Sequence, residues 1–152
     1  MSNAVKVRGE GAEVVSAEAR AVLAMVQDEE RSGRLASLIA AVEDGEVEGA
    51  DAQALEEVLE LGLQSGRLRA VYGPEGEQAA LMLYRRLPCG RGLGEAARQV
   101  SGALAALEGR PLEKVSVQAL GPGAHVVTIS AEGLELSIKL DRQGARLATV
   151  GI

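Results

Sequence analysis

The sequence predicts an α+β protein, with about five N-terminal helices followed by a four-stranded antiparallel β-meander. Three observations carry this. Apolar residues recur at helical spacing as far as Leu107. After Pro111 the period falls to two: Leu134, Leu136, Ile138 and Leu140 alternate with Glu135, Ser137 and Lys139. The links between alternating segments, Gly121-Pro122-Gly123 and Asp141-Arg142-Gln143-Gly144, are short turns, and short links join strands antiparallel.

Taken in order, residues 1–15 read as a flexible tail, with Lys6 and Arg8 but no apolar stretch behind them, and hence as no signal peptide. Ser16 is a candidate N-cap for a helix with Val22, Leu23 and Val26 on one face. Asp28-Glu29-Glu30-Arg31 and Ser32-Gly33 interrupt it, and Leu35, Leu38, Ile39 and Val42 form the stripe of a second helix. Asp44 to Gly49 is acidic and reads as a loop. Asp51 can cap a third helix carrying Leu55, Val58 and Leu59, which Ser65-Gly66 stops.

Residues 67–72 are short enough to be a strand. Gly73-Pro74-Glu75-Gly76 fits either a hairpin turn or a helix start with Pro74 in first position; the strong helix formers from Gln78 to Leu83 favour the helix, ending before Pro88. A fifth helix spans about Leu93 to Leu107, with Ala97, Val100, Leu104 and Leu107 on one side. The organisation expected is a tail at 1–15, a helical region at 16–109 and a meander at 110–152 packed on the helices.

Composition narrows the function. Among 152 residues there is one histidine, His125, and one cysteine, Cys89, with no Phe or Trp and two tyrosines, Tyr72 and Tyr84. Neither His125 nor Cys89 has a motif partner, so the usual nucleophile–base and soft-metal arrangements are missing, and no catalytic residue, metal or cofactor is expected. Base-stacking platforms are nearly absent. The third helix, the one segment suggestive of a DNA-reading helix before a wing, carries Asp51, Glu56, Glu57 and Glu60, which phosphate would repel, so no nucleic acid is expected. No apolar run reaches membrane-spanning length. A single cysteine fits a reducing cytoplasm, and arginine outnumbering lysine suits a GC-rich bacterial genome.

Charge is uneven: fourteen carboxylates face three arginines over residues 10–60, whereas six arginines face three glutamates over 66–98. Within the latter, Cys89-Gly90-Arg91-Gly92-Leu93-Gly94 precedes the fifth helix. Its backbone N–H groups, at Gly92 and Gly94 above all, with Arg85, Arg86 and Arg91, could hold an anion, although the glycine spacing matches no phosphate fingerprint and an interhelical linker accounts for it as well. His125 is expected partly buried at a strand start. The last strand ends with Ala148, Val150 and Ile152 alternating and no closing charge or proline, an edge that invites pairing. The expected function is therefore a non-enzymatic interaction or assembly module that meets a protein partner or its own copy through that strand. The alternative is a small-molecule or anion-binding enzyme built on residues 88–98.

Overall fold

The computed structural model describes residues Asn3 to Gly151 and bears out the α+β reading: five helices, then a four-stranded antiparallel sheet, with a small two-stranded sheet among the helices. The chain forms two compact units, residues 1–90 and 91–152, with the division inside the fifth helix.

In the first unit, β1 (Val5–Lys6) pairs antiparallel with β2 (Glu46–Val47), and α1 (Gly9–Met25), α2 (Glu29–Asp44), α3 (Gly49–Gln64) and α4 (Arg67–Tyr84) pack on one another, with α2 also against β2. The residues expected as a tail are therefore structured from Val5 onward. Val5, Val7 and Val47 are buried, an apolar reward that offsets the ordering cost of so short a ladder. Asp28, expected to interrupt the helices, starts α2: its carboxylate accepts the Arg31 backbone N–H at 2.9 Å. Gly45 ends that helix at φ 88°, which returns the chain directly into β2.

Residues 67–72 are helical, not a strand. They lead into residues 74–84 across a break at Gly73 (φ 75°, ψ 178°), with Pro74 just inside the second segment as its fixed φ favours. Leu38, Leu55, Leu59, Leu68, Leu83 and Leu87 are fully buried, so branched aliphatics fill the space that aromatics fill elsewhere. Two carboxylates, Glu18 and Glu56, are buried with them. Glu18 of α1 accepts from Arg67 Nε at 2.7 Å and from the Tyr72 hydroxyl at 2.9 Å, which satisfies it and ties α1 to α4. Burial, then the bond to Glu18, pushes the Tyr72 phenol up to about 12.

The fifth helix, α5 (Pro88–Ala105), begins in the first unit and runs on into the second. There β3 (Leu112–Gly121), β4 (Ala124–Ala131), β5 (Leu134–Asp141) and β6 (Gly144–Gly151) form a meander in sequence order, leaving β3 and β6 as its edges. Leu93 of α5 rests on Gly144, where an added Cβ would lie 2.7 Å from Leu93 Cδ2.

Candidate functional site

Strand register places the apolar residues of the meander in rows on one face. One row runs Val115, Ile129, Leu136, Val150 and the next Val117, Val127, Ile138, Leu147. A third runs Ala119, His125, Leu140, Ala145, and a shorter one Leu112, Ala131, Leu134. The reverse face carries Ser116, Thr128, Ser137 and Thr149 in one row and Gln118, Val126, Lys139 and Arg146 in another. This is the alternation a sheet with one solvated face requires.

Ala131, Leu136 and Ile138 on the inner strands are buried. The outer strands are not: Leu112 is 60% exposed, Val115 55%, Val117 66% and Val150 56%. In this unit α5 is the one helix, and Val100 on it is buried. The strongly exposed apolar positions lie on the edge strands β3 and β6.

The expected interface residues fare differently. Val150 lies on the apolar face as read. Ala148 does not join it: the register passes from Ser137–Thr149 to Ile138–Leu147, so Ala148 is the extra residue of a bulge and opposes no residue of β5. The bulge resets the alternation and brings Leu147, not Ala148, onto the face with Val150. Ile152 lies outside the described residues. His125 is on the same face but exposed at its end, not partly buried. Ser137, which alternates with the apolar residues of β5, is buried as well, and its hydroxyl lies 3.3 Å from that of its cross-strand neighbour Thr128.

The residues expected to hold an anion fall in two different units. α5 starts at Pro88, five residues before the sequence suggested, so Gly92 and Gly94 sit within the helix. Their N–H groups belong to its ladder and do not form a loop cradle. Arg91 is an exposed residue of the same helix in the second unit. Arg85 and Arg86 belong to the first unit, where with Arg8, Glu10, Met82 and their neighbours they line an open groove of about 600 Å³.

The start of α5 is already occupied. Glu56 of α3, buried, accepts the Cys89 backbone N–H at 2.8 Å and faces the Cys89 thiol at 3.2 Å, a carboxylate stabilised at a helix N-terminus. One turn further on, Glu60 accepts the Tyr84 hydroxyl at 2.7 Å. The bond to Glu56, followed by burial and the charges of Glu56 and Glu60, pushes the Cys89 thiol up to about 11. Thiolate therefore forms only as pH rises through that region, and at neutral pH Cys89 is a poor nucleophile. Glu56→Gln should lower this pKa and speed alkylation of Cys89 by iodoacetamide near neutral pH several-fold, read by mass spectrometry across a pH series. An unchanged rate profile would show that Glu56 does not hold the proton in place.

Among the described residues, no three His, Cys, Asp or Glu side chains converge as a metal site, and no helix is long and apolar enough to cross a membrane. Comparison with protein-family models, with curated proteins and with solved structures finds no match.

Proposed function

We propose that this chain is a non-catalytic interaction module whose sheet docks a second copy of the chain. The observation that supports the reading is the apolar face of the meander, buried at its centre and open along both flanks. Exposed apolar patches of this kind mark association sites in soluble proteins. Charge supports a like partner. Residues 91–152 hold seven basic and six acidic side chains, so two sheet units meet without net repulsion, whereas residues 1–90 hold nine against sixteen.

The bulge at Ala148 bears on the geometry. An edge twisted by a bulge is a poor template for continuous strand addition, so the copy packs on the face and does not extend the sheet.

Light scattering on the full chain at micromolar concentration is expected to give a multiple of 15.7 kDa. Val117→Lys and Val150→Lys should each shift the particle toward monomer. Both sites are more than half exposed, so the folded chain tolerates lysine there with little change in stability. Loss of association in one variant alone would locate the contact on β3 or on β6. A monomer throughout, with both variants identical to the parent, would end the self-association reading.

A further inference from the structure

We infer that the groove in the first unit, between the N-terminus of α1 and the C-terminal half of α4, binds a small organic phosphate. This stands apart from the self-association reading and shares no residue with the sheet. The starting observation is a contrast among arginines. In a unit with sixteen carboxylates, Arg20, Arg34, Arg67 and Arg69 each take one as an ion-pair partner, at 2.6 to 3.5 Å. Among the described residues Arg8, Arg85 and Arg86 take none, yet all three line one groove, where Glu10 is the single acid among the described lining residues. Three guanidiniums that line one groove without a carboxylate partner among the described residues give it a positive field, which an anion would complement. The guanidinium fork suits phosphate oxygens two at a time.

The rest of the lining specifies more. Val7, Ala79, Met82 and Leu83 supply an apolar wall, and Met82 is 59% exposed although methionine buries readily. The volume, about 600 Å³, is that of a small-molecule site and exceeds what a bare phosphate fills. An apolar or aromatic body bearing a phosphate meets both halves. The first turn of α1 adds to this: its N-cap residue, Arg8, makes no side-chain cap, and Gly11 of that turn lines the groove.

Calorimetry and thermal shift on the full chain, with phenyl phosphate, inorganic phosphate and benzoate at constant ionic strength, test the assignment. Phenyl phosphate should bind saturably and most tightly. The Arg85→Gln/Arg86→Gln variant should weaken it about tenfold or more, in line with the loss of charge-assisted hydrogen bonds. Arg8→Gln should weaken it as well. Met82→Glu should weaken phenyl phosphate more than inorganic phosphate. Arg31→Gln, which removes an arginine outside the groove that also lacks an ion-pair partner among the described residues, should leave binding unchanged. All these side chains are exposed, so each variant should melt like the parent without ligand, and that melt is the control for folding. No saturable binding, equal binding by the arginine variants, or an equal loss in Arg31→Gln would overturn the proposal; the last would mean attraction by bulk charge alone.

Discussion

Leu136→Ala is expected to destabilise the chain by about 2–5 kcal/mol, the cost of removing buried methyl groups and leaving a cavity. Leu136 is 1% exposed and sits mid-row between Ile129 and Val150, so no neighbour can close over the space without bending the sheet. The control is the adjacent residue. Glu135 points to the solvated face, where its carboxylate accepts from Ser130 at 3.3 Å, and Glu135→Ala should stay within about 0.5 kcal/mol. Urea unfolding followed by circular dichroism separates the two. Similar small changes in both would mean that Leu136 does not face the core.

That face was legible in the sequence because a strand writes its two sides directly into alternate residues. The meander, its order and the buried positions Leu136 and Ile138 follow from period and turn chemistry alone. Alternation misleads wherever a residue is inserted. Nothing in Leu147-Ala148-Thr149-Val150 announces a bulge, so Ala148 was assigned to a face that Leu147 occupies. Leu134 marks the same limit. It shares the face, but at the strand's start, where it is half-buried and not enclosed.

Among the helices, what was hidden is what distant residues decide. Two-residue strands have no period to detect, and β1 exists because Val5 finds Val47. Arg67-Leu-Arg-Ala-Val-Tyr alternates like a strand, yet it is a helix with Leu68 buried and Val71 exposed, anchored by Arg67 and Tyr72 on Glu18 of α1. Local pattern yields to such contacts over short spans. The arginine groove was half visible. Arg85 and Arg86 stood out as adjacent charges, but Arg8 meets them only through the packing of α1 against α4. Arg91, Gly92 and Gly94 are close to them in sequence but lie within α5, because that helix starts at Pro88.

The glycines of that segment give the second large effect, and they divide sharply. Gly90→Ala is expected to cost about 2–6 kcal/mol. A Cβ at Gly90 overlaps the Tyr84 carbonyl and lies 2.8 Å from Arg85 Cα, and backbone cannot swing aside as a side chain can. Overpacking of this kind costs about 1–3 kcal/mol. Moving the first turn of α5 also breaks the Cys89 N–H bond to Glu56, and a buried carboxylate stripped of its donor adds about 1–3 kcal/mol. Gly92 and Gly94 meet nothing within 4 Å, and neither has a positive φ. As helix residues, each should gain about 0.5–1 kcal/mol on replacement by alanine, since glycine loses more backbone freedom on folding. The signs are therefore opposite at positions two residues apart, and thermal melts of the three single variants read them directly. Equal destabilisation at all three would restore the segment as a loop that needs its glycines. The expected pattern makes it the start of a helix held by Glu56 from α3, with one glycine kept for close packing.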